Sequence, residues 1–493
     1  MKIVSESEKK FLLDNIDAIG GKNVHKIREL AKALGAPKPT ATKKEDNMDG
    51  IKAILKGEME PKYPKSNSDK HYAEYRATVS RWLDELKEDE MPLCDDITPQ
   101  GVAAPEQSLE SDAFEIEGRL EIIEKGYGFL RTSPDSVTKG ADIFVDGKII
   151  QHFRLCGGDV VCGLARKEDP YKSAKLIKLT RVNGVSAEKE NFAGRPRFEE
   201  LKAVFPNKRL RLEGCGKFDF ALRAIDLVAP IGRGQRGLIV SPPKAGKTTL
   251  LKQIAQALLH NYSDLTVIML LIDERPEEVT DMEREVKGCE IVSSTFDQEQ
   301  EHHVKVAEQT LARAKRLVEM GGDVVILLDS ITRLARAYNQ VGEASGRTLS
   351  GGLDVAALKE PKRFFGAARN TDGHGSLTII ATALINTGSR MDDVIYEEFK
   401  GTGNMEIHLD RKLSERRIFP AIDLEKSGTR REDLLYTGRE MTAMWAVRRM
   451  LSKADNGESA EMILDMLTKT KTNDELLTLL EISTVSYTHL TLP

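Results

Sequence analysis

At 493 residues the chain has room for about three domains, and 40% hydrophobic with 31% charged residues excludes collagen-like, mucin-like and disordered compositions. Its 73 Lys and Arg against 78 Asp and Glu leave a net charge of -5. That balance excludes holding nucleic acid by bulk positive charge but leaves room for a local basic channel.

The N-terminus turns polar and acidic at once, so no secretory signal is expected and a cytoplasmic location fits. Residues 1–60 read as helical: residues 24–34 carry apolar positions at helical spacing, stop at Gly35, and 51–57 repeat the design. A further helix is expected around Tyr72 to Leu86, inside a segment (61–113) whose later part, 91–112, is rich in Pro, Ser and acid and reads as linker. From 114 to 186 five short β-type runs alternate with turn residues, which predicts a small barrel. After a linker at 187–200 the period changes again. Continuous apolar runs at 237–240, 267–272, 323–328 and 377–384 alternate with longer helices, which predicts a parallel α/β sheet. None of these runs approaches the ~20 apolar residues of a membrane span, so no membrane partner is expected. The five cysteines are odd in number and contain no Cys-x-x-Cys pair, which argues against a disulfide framework or a zinc site.

Residues 241–248, Ser-Pro-Pro-Lys-Ala-Gly-Lys-Thr, lie between a predicted strand and a predicted helix. That context lets backbone N–H groups cradle phosphates, with Lys247 reaching the β/γ-phosphates and the Thr248 hydroxyl on Mg²⁺. Ser241 stands where the strict pattern begins with glycine. Asp329 closes an apolar strand, where a Walker B aspartate would orient Mg²⁺. A base for the attacking water is sought in Asp273-Glu274-Arg275; Glu274 is the first candidate and Asp273 its alternative.

In the barrel, Lys125-Gly-Tyr-Gly-Phe-Leu-Arg131 places Tyr127 and Phe129 on one face of a strand, with Phe144, Tyr171 and Arg131 as further candidates for holding single-stranded nucleic acid. The alternative is that these rings fill the barrel core. Two glycine-containing loops with one arginine each, around Gly346-Arg347 and Thr387-Gly388-Ser389-Arg390, read by themselves as surface turns.

The stretches 364–370 (FFGAARN), 396–406 (YEEFKGTGNME) and 272–280 (IDERPEEVT), together with the P-loop and the barrel motif, resemble the bacterial transcription termination factor Rho family over about residues 114–480. The resemblance implies an OB-fold barrel and a RecA-like P-loop ATPase domain (201–482) in a multidomain α/β chain with an N-terminal helical segment. It implies a homohexameric, ring-shaped, RNA-dependent ATP hydrolase and 5′→3′ RNA–DNA helicase. Such a protein binds single-stranded nascent RNA, uses ATP and Mg²⁺, and releases the transcript from RNA polymerase, with elongation factors as further partners. By resemblance Pro243, Lys244, Ala245, Gly246, Lys247, Thr248 and Thr249 bind ATP, and Phe419 stacks on adenine. Glu274 is the catalytic carboxylate, Asp329 joins Thr248 at Mg²⁺, Arg430 is the arginine finger, and Arg275 and Arg333 belong to the same subunit interface. Tyr127, Phe129, Arg131, Phe144, Asp169 and Tyr171 form the primary RNA site. Gly346 and Arg347, with Thr387, Gly388, Ser389 and Arg390, form the secondary one. Arg347 and Arg390 stand where the family often carries lysine, which keeps the charge but changes its geometry. Residues 61–113 have no counterpart in the compact form of the family. The tail 483–493 is unlike a Rho C-terminus and is expected to be disordered. Two other readings, a rotary-ATP-synthase-like ring ATPase that needs no RNA and a passive RNA binder with a dead nucleotide site, lack an explanation for the barrel aromatics and for the intact Lys247, Thr248, Glu274 and Asp329 respectively.

Overall fold

The structure, a computed structural model, describes residues 9, 11–13, 16, 19, 24–36, 44–56, 58–59, 61, 75–76, 78–79, 82, 113–123, 126–131, 142–167, 173–187, 194–214, 216, 219–342, 346, 348–451 and 456–489. The chain divides into two units, 1–106 and 107–493. In the first, α1 (Val24–Leu34) buries Ile27, Leu30, Ala31 and Leu34, the i, i+3, i+4, i+7 stripe of one helix face. The expected glycine stop is a Schellman turn. Gly35 takes φ 77°, its N–H donates to Lys32 O, and the Ala36 N–H donates to Ala31 O. Helix α2 (Lys44–Leu55) packs on α1. Tyr75, Val79 and Trp82 are buried in this same core. The core therefore runs past the division expected at residue 60, because the segment beyond it supplies aromatic and apolar side chains of its own.

The second unit begins with a barrel: β1 (Ala113–Ile122), β2 (Gly128–Arg131), β3 (Ile143–Val145), α3 (Gly147–His152), β4 (Val160–Arg166), β5 (Lys175–Val182) and β6 (Val185–Ser186). The order β3-β2-β1-β4-β5 closes through a β3–β5 pairing at Phe144–Lys175, which leaves no free edge among these five strands. Leu120, Leu130, Ile143, Val145, Val161 and Leu176 point inward and make its core.

The ATPase part follows as β7 (Ala203–Val204), β8 (Arg209–Leu210), α4 (Phe220–Val228), β9 (Ile231–Gly232), β10 (Arg236–Ser241), α5 (Lys247–Asn261), β11 (Leu265–Glu274), α6 (Pro276–Glu285), β12 (Glu290–Thr295), α7 (Gln300–Glu319), β13 (Asp323–Asp329), α8 (Ile331–Val341), β14 (Thr348–Leu349), β15 (Leu353–Asp354), α9 (Lys359–Gly366), β16 (Arg369–Thr371), β17 (Ser376–Leu384), α10 (Arg390–Lys400), β18 (Met405–Leu409), α11 (Arg411–Glu415), β19 (Ile422–Thr429), α12 (Gly438–Leu451), α13 (Asn456–Thr468) and α14 (Asn473–His489). The sheet order is β12-β11-β13-β17-β10-β18-β19, parallel up to β18 and antiparallel at β19. One face is covered by α4, α5, α12, α13 and α14, the other by α7, α8, α9 and α10. Cover on both faces is why β11, β13 and β17 are almost continuously buried rather than alternating. Helix α14 runs to His489, so residues 483–489 are helical where disorder was expected; no proline or glycine interrupts 473–489.

Barrel and ATPase meet along α7. Glu290 accepts from Arg119 (3.0 Å) and from Arg313 of α7 (3.0 Å). At the other end of the helix, Arg195 pairs with buried Asp159 of the barrel (2.9 Å) and buried Glu319 (3.4 Å). Gly158, at φ 93°, lets the α7 main chain approach so closely that a Cβ there would lie 2.6 Å from Ala312.

Candidate nucleotide site and nucleic-acid face

The loop after β10 turns on two left-handed residues, Lys244 (φ 64°) and Gly246 (φ 91°), and Gly246 caps α5. This geometry turns successive N–H groups toward the helix axis, where the dipole favours phosphate. Ser241 is buried and its hydroxyl donates to Pro242 O (2.9 Å), so serine is accommodated at the loop start with its polar atom satisfied. Lys247 opens the helix. Its ammonium lies 2.5 Å from Asp329 Oδ1 and 3.1 Å from Glu274 Oε1. Burial works against its charge, but the two carboxylates outweigh it and hold the lysine above its ordinary range. Thr248 is the next helical residue.

A bulge sets Asp273 and Glu274 in different surroundings. Ile272 pairs with Ser294 and Glu274 with Thr295 of β12, leaving Asp273 as an extra residue at φ 57°. The bulge turns Glu274 inward, 3% exposed, and Asp273 outward onto Arg333 (3.3 Å). Burial pushes the Glu274 carboxyl up, the Asp329 charge adds to it, and Lys247 and Arg333 pull back only part of the way. Arg333 also reaches Glu274 (3.5 Å), while Arg275, at the N-cap of α6, is exposed. Phe419 is half-exposed and walls a cavity of about 250 Å³ together with Ala245, Gly246 and Thr249 of the phosphate loop. The exposed Pro243 and Lys244 precede these on the same loop. Arg430 is exposed at the far end of β10, where its N–H donates to Asn404 O (2.8 Å) beside Arg236.

On the barrel, Tyr127, Phe129 and Phe144 form a three-ring cluster with centroids 5.4–5.9 Å apart. The rings are half-buried and stand outside the barrel core, so they do not fill it. Phe129 pairs with Phe144 across β2–β3, and Lys175 lies 5.9 Å over Phe144. Arg131 is held by Glu121 (2.7 Å) and by Asp142. A half-exposed aromatic cluster beside cations has the geometry on which bases can stack. Phe129→Ala is therefore expected to weaken single-stranded RNA binding by about 1–3 kcal/mol without loss of fold, read by titration and thermal melting. Asp169, Tyr171 and Arg347 lie outside the described residues. Gly351 packs against the main chain of Arg390 and Met391. Thr387 donates to buried Asp392 (2.6 Å), the Ser389 N–H donates back to the Thr387 hydroxyl (3.2 Å), and Gly388 takes φ 83°. Gly346 is likewise left-handed, at φ 75°.

Residues 116–188 match the Rho termination factor RNA-binding domain and residues 221–429 the ATP synthase alpha/beta family nucleotide-binding domain. Over 363 residues, 73% of this chain and 86% of the relative, the sequence is 55% identical to transcription termination factor Rho of Allochromatium vinosum. The chain belongs to the transcription termination factor Rho family. The same shares at 54% identity hold for the Rho factor of Escherichia coli K12. Among solved structures, an ATPase from the type III secretion system of pathogenic bacteria is 26% identical, covering 59% of this chain and 79% of that one at a TM-score of 0.46. The RNA-binding match sets the Rho family apart from a ring ATPase that needs no RNA. Within this Rho-family site, sequence reasoning missed Thr382, whose hydroxyl donates to Asp329 (2.7 Å) and orients it. Its signal was a hydroxyl near the C-terminal end of a buried central strand.

Proposed function

We propose that the chain is an RNA-stimulated ATP hydrolase and 5′→3′ RNA–DNA helicase, working as a homohexameric ring in transcription termination. Barrel 114–186 holds nascent RNA, and 201–482 hydrolyses ATP. The observation that carries this reading is one body holding both a half-exposed aromatic cluster and a P-loop whose lysine is poised between two buried carboxylates.

ATP places its phosphates at the α5 N-terminus and its base against Phe419. Lys247 leaves its carboxylates for the phosphates, and Glu274, losing its nearest counter-charge in a buried setting, becomes a stronger base for the attacking water. Thr248 and Asp329 offer hard oxygen donors on adjoining elements, which suits Mg²⁺. When bound there the ion would neutralise charge on the β/γ-phosphate oxygens. Arg430 sits beside the start of β10 and the P-loop follows its end. At ~3.3 Å per residue these are roughly 17 Å apart, which supports Arg430 completing the site of a neighbouring copy. Arg275 and Arg333 belong to that same interface. Arg347 and Arg390, with Gly346 and Thr387 to Ser389, grip RNA in the central pore, and aromatic stacking on the barrel lets a chain of net charge -5 hold RNA locally. RNA polymerase and elongation factors are the partners this activity implies, in the cytoplasm. ATP turnover that rises on adding single-stranded RNA tests the reading.

A further inference from the structure

Glu121 of β1 stands between two cations. Its Oε2 accepts from Arg131 Nε at 2.7 Å, and its Oε1 lies 3.4 Å from Lys305 Nζ of α7. Arg131 lies at the end of β2, the strand that carries Phe129 of the aromatic cluster. Lys305 lies two residues beyond His303. Nδ1 of both His302 and His303 is 2.6 Å from the Ser294 hydroxyl. One hydroxyl proton cannot serve both rings, so one ring must donate to Oγ, and the first turn of α7 is thereby tied to β12 from both sides. Ser294 precedes Thr295, the residue paired with Glu274 across the bulge, and the Phe296 N–H donates to Glu274 O (3.1 Å). The barrel-facing side of α7 borders a cavity of about 600 Å³ lined by Glu121, Arg131, Lys305 and Arg313 among others. There side chains have room to re-pair. The rest of the contact is held by Arg119–Glu290–Arg313, Gly158 and Arg195.

We propose that Lys305 is a positioning residue that couples the barrel's RNA face to the catalytic carboxylate, through the sharing of Glu121 between Arg131 and Lys305. This rests on the RNA reading of that face. RNA that draws Arg131 away frees Glu121 to pair fully with Lys305, which pulls on the first turn of α7 and, through His302, His303 and Ser294, on the strand beside Glu274. The two-state element is the Glu121 pairing, and linkage makes the effect reciprocal: RNA tightens nucleotide binding by the same factor as nucleotide tightens RNA. A partly exposed ion pair sets its size at about threefold.

The test measures binding of a non-hydrolysable ATP analogue to the full chain with and without saturating oligo(C) RNA. Lys305→Gln is expected to keep basal ATPase and nucleotide-free RNA affinity, while the coupling factor falls by about threefold. Lys305→Arg restores it. Phe129→Ala loses the same share of coupling together with RNA affinity, and the double variant loses no more coupling than either. Undiminished coupling in Lys305→Gln, or a loss of its nucleotide-free RNA affinity, overturns the proposal. Wild-type RNA binding and RNA-stimulated hydrolysis are read in the same samples, so a failure of the underlying RNA reading shows separately.

Discussion

Glu274→Gln is expected to lower ATP turnover by about 10²–10⁴-fold, the usual contribution of a positioned general base, while ATP still binds. The amide keeps the volume of the side chain and can still accept from Lys247, so the phosphate loop stays built. What it loses is the basic oxygen that takes a proton from water. In the folded chain Glu274 is buried, and both burial and the Asp329 charge lift it above the ordinary carboxylate range. That places it closer to the working pH than an exposed glutamate, which favours proton transfer. Asp273→Asn is the paired control. Asp273 is the bulged residue itself, is partly exposed and faces Arg333, so its loss should cost far less. Pre-steady-state hydrolysis with radiolabelled ATP separates binding from chemistry. Turnover that survives in Glu274→Gln and collapses in Asp273→Asn would hand the role to Asp273.

Arg430→Ala is expected to cost about 10³–10⁵-fold in turnover, the range for arginine fingers. Because Arg430 stands at the opposite end of β10 from its own P-loop, its effect should be felt in another copy. Arg430→Ala and Lys247→Ala chains should each be inactive alone. Mixed one to one, about a quarter of the interfaces in a closed ring pair an intact P-loop with an intact finger, and activity returns in proportion. A mixture as inactive as its components would place the arginine in its own subunit's site.

The sequence and the structure part company where local patterns meet tertiary detail. Apolar runs at 267–272 and 323–328 announced buried parallel strands, because both faces of β11 and β13 are covered. The P-loop was legible because strand, loop and helix follow each other in sequence. Asp273 against Glu274 was not decidable by alternation, since the bulge breaks the period of two just where it matters. Whether Tyr127 and Phe129 filled the core or faced outward depended on how the barrel closed. Lys305 was invisible, because its partner Glu121 lies 184 positions earlier, on a different domain. Residues 483–489 misled by composition: an unfamiliar tail can still carry a helix.

ATP hydrolysis by the full chain, measured with Mg²⁺ in the absence and presence of poly(C) RNA, tests the central claim most directly. A low basal rate that rises strongly with poly(C), and does so less in Phe129→Ala, is the predicted result. Hydrolysis indifferent to RNA would contradict it and leave a ring ATPase of another kind; RNA binding with no hydrolysis under either condition would leave a passive binder.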